Sequence, residues 1–365
     1  MQDFLGGGSA LTSKKKSMKN SNWTNRVLVI AALAVGAFTI TACGGGSSGS
    51  TSSSSTSSSG STPTTFQAVA TAGELISYTV DTTARTYSYK VVESAYGKTG
   101  VTGSGQLTLN SDGTYTPTGF NGKIAVLDSG LLLGEIYEDL DNNGTKEVVP
   151  VVGVSNPISS TAEAAGIYNF ISRQCTPTCT NWYGTVKIET NGNWASCQGQ
   201  NLSDANHPAC NGTASGSVSA FSAGRATLMV NGGSGLVSGG SMLVFKDPAG
   251  QKVILLDLNG GSGLGKGAVF AATQQLPASA NGNWSYIHTN GTRGTVTVSS
   301  GTSFTDSGVY GDGSTYSSLP GSFTRDMPWA GFIQTNIGSV IMPAGSGLYA
   351  GYFGANSSMS VGVKK

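Results

Sequence analysis

Residues 132–153, LLGEIYEDLDNNGTKEVVPVVG, contain two short apolar runs joined by an acidic turn with a glycine. Residues 241–259, SMLVFKDPAGQKVILLDLN, have the same order of apolar run, polar turn and apolar run. Short runs rich in Val, Ile and Leu between turn residues predict β-strands joined as hairpins. This repeated pattern favours an all-β, antiparallel fold.

Further hairpins and a second repeat extend this interpretation along the chain. Residues 76–95, ISYTVDTTARTYSYKVVESA, alternate on both sides of a turn, and 105–119, GQLTLNSDGTYTPTG, place Asp112-Gly113 between two strands. Residues 166–197 resemble 282–308 in their order of aromatic strand and hairpin. We therefore predict two or three weakly repeated antiparallel units, barrels or sandwiches, at residues 66–160, 161–277 and 278–365.

The middle unit favours a barrel over a sandwich. Its residues divide into about eight short strands, and eight antiparallel strands can close into an up-and-down barrel with room for one small ligand. In the last unit, Gly282-Asn283-Trp284 is similar to the G-x-W opening of lipocalins, which are such barrels. For Trp182, Trp194, Trp284 and Trp329 we expect core packing, with sugar or lipid stacking as the alternative.

The N-terminus has the pattern of an export signal. Lysines 14, 15, 16 and 19 and Arg26 precede an apolar run at residues 27–40, and the small residues Thr41 and Ala42 follow. The run is about 14 residues long, shorter than the roughly 20 that cross a membrane as a stable helix. Residues 1–42 are therefore predicted to be a signal peptide.

Ile40-Thr41-Ala42-Cys43 resembles the lipobox of bacterial lipoproteins. The resemblance implies cleavage before Cys43, transfer of diacylglycerol to its thiol and acylation of the new amino group by a fatty acid such as palmitate. It also implies sorting to the outer membrane, because Gly44 rather than Asp follows the cysteine. Several acyl chains bind a membrane far more firmly than one, so Cys43 is predicted to be the membrane anchor.

A Gly/Ser/Thr-rich segment follows the anchor, and we assign residues 43–65 to the anchor and its linker. Such a composition has too few apolar groups to offset the entropy lost on folding. A flexible chain of this length has an r.m.s. reach of roughly 25 Å. The folded part is expected to lie just clear of the lipid surface.

The net charge of the chain limits the kinds of partner that it can bind. Residues 1–42 carry five of the 20 basic and one of the 19 acidic residues, which leaves 15 against 18 and a net charge near −3. Residues 43–365 contain neither a basic stripe nor a basic segment interleaved with aromatic residues. We therefore expect no nucleic-acid partner.

Four cysteines remain once Cys43 is acylated: Cys175, Cys179, Cys197 and Cys210, all within 36 residues. An even number of cysteines in an exported protein predicts disulfides. Three pairings are open, and we favour Cys175–Cys179 and Cys197–Cys210 because each closes a local loop. Zinc held by cysteines and His207 is the alternative, but the spacing fits no common zinc module.

DLDNNGTKE, residues 139–147, is the best candidate for a metal site. Asp139, Asp141 and Asn143 alternate, Glu147 offers a further carboxylate, and Ca²⁺ prefers such oxygen ligands. The segment resembles the D-x-D-x-[DN]-G loops of calcium modules, although Pro150 replaces the glutamate that an EF-hand requires. A plain Asn-Gly hairpin turn explains Asn143-Gly144 equally well. Calcium would be structural, and we expect no other cofactor.

Enzyme signatures are weak in this sequence. It has two histidines, His207 and His288, and no G-x-S-x-G nucleophile motif outside the Gly/Ser-rich linker. GGSGLGKG, residues 260–267, resembles a phosphate-binding loop, but Gly267 stands where a hydroxyl should bind magnesium, so a glycine-rich hairpin is favoured. Glu135, Glu138 and Asp139 could act as paired carboxylates of a glycosidase if their separation allowed it.

The sequence as a whole favours a surface-tethered envelope lipoprotein acting as a binding or structural module rather than an enzyme. The strand-connecting loops or a barrel mouth would recognise a glycan, a lipid or an envelope protein. The alternative is a hydrolase acting on envelope or extracellular polysaccharide.

Overall fold

A computed structural model describes most of the chain beyond residue 62. The described residues are 63–120, 122–140, 144–176, 178–201, 213–247, 249–277, 279–345, 347–354 and 358–365. The predicted signal peptide, Cys43 and nearly all of the predicted linker lie outside them. The described residues belong to one compact unit.

The first sheet has eight antiparallel strands in the order β5-β4-β3-β2-β1-β8-β7-β6. The strands are β1 (Thr64–Ala70), β2 (Glu74–Asp81), β3 (Thr86–Ser94), β4 (Thr102–Leu109), β5 (Tyr115–Pro117), β6 (Ala125–Val126), β7 (Leu131–Glu138) and β8 (Glu147–Val154). Its two ends meet at a bridge in which Tyr115 and Ile124 exchange backbone hydrogen bonds of 2.7 and 2.8 Å. The sheet therefore curls into a barrel-like ring, which we name barrel 1.

The second sheet is a closed barrel, barrel 2, in which each strand pairs with its neighbours in sequence and β16 pairs with β9. Its strands are β9 (Gly166–Cys175), β10 (Cys179–Ile188), β11 (Asn193–Gln198), β12 (Thr213–Val218), β13 (Arg225–Gly232), β14 (Gly235–Lys246), β15 (Lys252–Asn259) and β16 (Lys266–Thr273). One turn of helix, α1 (Thr161–Ala164), precedes it and is capped by the Ser160 hydroxyl.

The third sheet, barrel 3, is closed by the pairing of β17 with β24. Its strands are β17 (Gly282–His288), β18 (Arg293–Ser300), β19 (Ser303–Val309), β20 (Thr315–Arg325), β21 (Ile333–Thr335), β22 (Val340–Ala344), β23 (Leu348–Tyr352) and β24 (Met359–Lys364). Strand β21 is short, and only residues 323–325 of the long β20 pair with it.

The all-β, antiparallel prediction is confirmed, and the middle unit is the eight-stranded barrel that its strand count predicted. Strand β1 begins at Thr64, inside the segment assigned to the linker, because Thr64 and Thr65 pair with Val80 and Thr79. The sequence repeat corresponds to the first three strands of barrels 2 and 3. Gly166 and Gly282 each begin the first strand of a barrel.

The three barrels share one central core formed by their outer walls. Strand β15 illustrates why its sequence is continuously apolar: Ile254 and Leu256 face the lumen of barrel 2, whereas Val253 and Leu255 pack into the shared core. Barrel 1 contributes residues such as Leu133, and barrel 3 contributes residues such as Phe332. Each fully buried side chain of this size stabilises the fold by about 1.5–3 kcal/mol, so the shared core stabilises the contact between the barrels.

Polar and aromatic contacts fix barrel 2 against barrel 3. The indole N–H of Trp329 donates to Asn169 Oδ1 at 2.8 Å, and Asn169 Nδ2 donates to the carbonyl of Ala330 at 2.9 Å. The ring of Tyr183 lies 5.6 Å from that of Trp329 and 5.0 Å from that of Tyr352, centroid to centroid. Such aromatic pairs add to the apolar burial at this junction.

Candidate functional site

The lumens of the three barrels differ in how completely side chains fill them. In barrel 1 the buried rings of Tyr78, Tyr87 and Tyr89 stack inside, with Tyr78 about 6 Å from each of the other two. Gly103 lies directly against the Tyr89 ring, and an added Cβ would come within 2.4 Å of it. Aromatic rings packed on glycines leave this lumen a filled core.

Barrel 2 is less completely filled. Trp194 is 6% exposed, and its indole N–H donates to the carbonyl of Met229 at 3.0 Å. A cavity of about 80 Å³ remains between residues such as Val186, Leu228 and Ile254. This space is about half of that found in barrel 3.

Barrel 3 contains the larger lumen cavity, about 160 Å³. Its wall is mostly apolar and aromatic. The lining residues are Pro277, Ala280, Trp284, Tyr286, His288, Val296, Val298, Phe304, Asp306, Phe323, Ile333, Thr335, Ile337, Ile341, Pro343, Tyr349 and Phe353. An apolar cavity of about 150 Å³ can hold a benzene-sized molecule, so the lumen is large enough for one small ring or a short alkyl chain.

Polar groups gather on one side of this cavity. The hydroxyl of Tyr286 donates to Asp306 Oδ1 at 2.8 Å and contacts the hydroxyl of Tyr316. Gly294 makes room for this group, because a Cβ there would lie 2.7 Å from the Tyr286 hydroxyl. Burial raises the pKa of Asp306, and hydrogen bonds from the two tyrosines partly offset that effect.

His288 lies next to this polar group on β17. Its ring is 4.9 Å from that of Tyr286 and 4.8 Å from that of Phe353, and Nδ1 is 3.0 Å from the Ser358 hydroxyl. Burial lowers the pKa of His288 to about 4. The imidazole is therefore neutral at pH 7 and adds a polar but uncharged group to the wall.

The segment that joins barrels 2 and 3 covers one end of the lumen. Ala280 is buried in the barrel 3 core, and its carbonyl accepts from the Trp284 indole N–H at 2.9 Å. The carbonyl of Pro277 accepts from Arg325 at 2.6 Å. Pro277 and Ala280 of this segment thus form part of the cavity wall.

The cavity reaches the surface through the side wall of the barrel. Ile337, in the turn between β21 and β22, lines the cavity although the residue is 76% exposed. Residues 315–321 of β20 have no strand partner on this side, and Pro320, which has no N–H to offer, lies in that stretch. A proline on an unpaired edge is a common protection against edge-to-edge association.

The cysteine predictions are partly confirmed. Cys175 and Cys179 form a disulfide across the β9–β10 turn. Cys197 is fully buried and is also disulfide-bonded, but its predicted partner Cys210 lies outside the described residues. His207, the other zinc candidate, and Cys43, the predicted anchor, lie outside them as well.

The candidate calcium loop is described only at its two ends. Asp139 Oδ2 accepts from the backbone N–H of Gly144 at 3.2 Å and lies 3.6 Å from the ammonium of Lys98. Glu147 begins β8 and is exposed. Asp141 and Asn143 lie outside the described residues, within which no three acidic, histidine or cysteine side chains are grouped to hold a metal. Calcium at this loop stays a prediction.

Two of the carboxylates considered for a hydrolase, Glu135 and Glu138, have different surroundings. Glu135 and Glu138 lie three residues apart on β7 and so point to opposite faces of the strand. Glu135 is buried 3.7 Å from Arg293 of barrel 3, whereas Glu138 accepts from the Tyr89 hydroxyl at 2.7 Å. Burial raises the pKa of Glu135 to about 7 despite Arg293.

The tryptophans divide between core and surface. Trp194 and Trp284 are buried as expected, Trp329 is partly buried at the junction of barrels 2 and 3, and Trp182 on β10 is 39% exposed. Sequence analysis missed Asp306 and Tyr316, because only the closure of the barrel shows that they meet Tyr286. The alternation in SFTDSGV, which places Phe304 and Asp306 on one face of β19, was the available signal.

No protein-family model matches the chain, and a comparison with curated proteins found no match. The part of the chain that the structure describes holds no helix of the length and apolarity needed to cross a membrane. By its fold the chain is an all-β protein of three antiparallel, eight-stranded rings, and the lumen of the third ring is hollow.

Proposed function

We propose that this chain is a lipid-anchored envelope protein that binds a small apolar ligand in the lumen of barrel 3. The observation that carries the proposal is the apolar cavity of about 160 Å³ that opens beside Ile337. Binding sites are commonly concave, mostly apolar and equipped with a few polar groups. The wall of barrel 3 has this composition, with Tyr286, His288, Asp306 and Thr335 as its polar groups.

The size of the cavity limits what is bound. Sites for drug-sized ligands have volumes of about 300–1,000 Å³, well above the volume seen here. A single ring or a short alkyl group fits, and the rest of a longer ligand would extend through the opening beside Ile337. Small aromatic compounds or the apolar ends of lipids are therefore better candidates than whole sugars, which would stack on exposed aromatic rings.

Filling the lumen should abolish binding. Val296 lines the barrel 3 cavity and pairs with Trp284, and Val186 has the equivalent place in barrel 2, paired with Tyr168. We expect Val296→Phe to weaken the binding of toluene at least tenfold, because the added ring occupies the space. Toluene is chosen because it is apolar and close to benzene in size, and binding is measured as chemical-shift perturbation in NMR titrations.

Val186→Phe is the matched control, because it adds the same atoms to the other lumen cavity. It should leave toluene binding unchanged. Equal loss of binding in both variants, or undiminished binding in Val296→Phe, would contradict the proposal.

The anchor part of the proposal is tested at Cys43. If its sulfur carries diacylglycerol, cells fed an alkyne analogue of palmitate should incorporate the label into the protein, and the protein should sediment with membranes. Cys43→Ser should abolish both, whereas Ser47→Ala in the same segment should change neither. Membrane association and labelling that survive Cys43→Ser would remove the anchor from the account.

A further inference from the structure

The cavity of barrel 3 has a carboxyl group in its wall and no positively charged side chain. Among its lining residues, Asp306 is the one carboxylate, and none is a lysine or arginine. The described residues place no lysine or arginine within ion-pair distance of Asp306. Its hydrogen bonds come from uncharged donors, the hydroxyls of Tyr286 and Tyr316 and the backbone N–H of Ser307.

Two cations lie at the covered end of this lumen, and Arg293 of β18 is directed to Glu135 of barrel 1. Lys364 Nζ lies 5.7 Å from the centroid of the Trp284 ring, and Arg325 is bonded to the carbonyl of Pro277 in the connecting segment. Along β17, Trp284 lies nearest to that segment, Tyr286 comes next and His288 is farthest from it, and all three side chains line the lumen. Next to Tyr286 a ligand therefore meets Asp306, a hydrogen-bond acceptor that is not paired with a lysine or an arginine among the described residues.

We propose, as an extension of the proposed function, that the lumen selects apolar ligands whose polar group donates hydrogen bonds, an alcohol or an ammonium, and rejects carboxylates. Asp306 accepts the hydrogen bond from the ligand. A carboxylate in the same place would face Asp306 with a like charge in a poorly solvated cavity, where such repulsion is strong.

Four probes with the same benzyl body separate this inference from the proposed function. Toluene tests the cavity alone, whereas phenethyl alcohol, phenethylamine and phenylacetate add an alcohol, an ammonium and a carboxylate. Titrations of the protein at pH 7 should give tighter binding of the alcohol and the amine than of toluene. Phenylacetate should bind at least tenfold more weakly than phenethyl alcohol, as expected for hydrogen bonds to a charged group.

Asp306→Asn removes the charge and keeps the shape of the side chain. The ratio of phenethylamine to phenylacetate affinity should fall at least tenfold in this variant, with toluene binding retained. Asp312→Asn is the matched control, because it makes the same change of charge in the nearby β19–β20 turn. There the Asp312 carboxylate accepts hydrogen bonds from Ser314 and does not face the lumen. It should leave the ratio within twofold of wild type.

Each outcome has a definite meaning. Failure of all four probes to bind would overturn the proposed function and this inference with it. Toluene binding together with phenylacetate binding as tight as that of the alcohol would overturn the inference alone, and so would an equal effect of Asp306→Asn and Asp312→Asn. The wild-type series decides the preference even if Asp306→Asn does not fold.

Discussion

At the scale of single residues, two buried carboxyls between barrels 1 and 2 have the most unusual environment. Glu74 is fully buried and Asp257 is 2% exposed, and each has one carboxyl oxygen without a hydrogen-bond partner among the described residues. The Ser94 hydroxyl donates to the other oxygen of Glu74 at 3.0 Å. Burial raises the pKa of both groups to about 8, and in the case of Glu74 Lys266 and Lys98 only partly offset it.

These pKa values predict how stability depends on pH. An unfolded Glu or Asp titrates near pH 4, so between about pH 4 and 8 the folded protein binds protons that the unfolded chain has released. The stability that these groups contribute is complete below about pH 4 and is lost as the pH rises through 8. Glu74→Gln should therefore raise the free energy of unfolding by at least about 1 kcal/mol at pH 9 and leave it nearly unchanged at pH 4.

Urea unfolding at the two pH values measures this difference. Glu163→Gln, at an exposed position in α1, is the control and should show no such dependence on pH. A Glu74→Gln variant that is equally stabilised or destabilised at both pH values would show that Glu74 ionises normally in the folded protein.

At the scale of strands and turns, much of the fold could be predicted. Hairpins at Asp112-Gly113 and between β7 and β8 follow from turn residues between alternating runs, and Gly113 has the positive φ, +80°, that such turns require. The Cys175–Cys179 disulfide followed from local spacing. These features depend on residues close together in sequence, which is why the sequence reveals them.

Features that depend on which face of a strand meets which neighbour could not be predicted. Glu135 and Asp257 look like surface residues in sequence, but register places each on an outer wall that another barrel covers. Strand β16 has no clear alternation of polar and apolar residues, because its two faces are buried in different cores. Burial on both faces removes the alternation that identifies a strand.

At the scale of the whole molecule, the three barrels share one architecture but differ in how completely their lumens are filled. Barrel 1 is filled by tyrosines, barrel 2 retains a small void, and barrel 3 is hollow and open beside Ile337. The outer walls of all three barrels pack into one core that includes Leu133, Leu255 and Phe332. Barrels 1 and 2 thus support a rigid wall for barrel 3, and a rigid wall keeps a cavity from collapsing when it is empty.

The central claim is that the lumen of barrel 3 is an accessible apolar cavity, and a crystal structure under xenon pressure tests it most directly. Xenon occupies apolar cavities of this size without needing a specific recognition group. The account predicts a xenon atom in barrel 3 between Val296, Val298 and Ile341, none among the tyrosines of barrel 1, and loss of the barrel 3 atom in Val296→Phe. A barrel 3 lumen that stays free of xenon while barrel 1 takes it up would contradict the account.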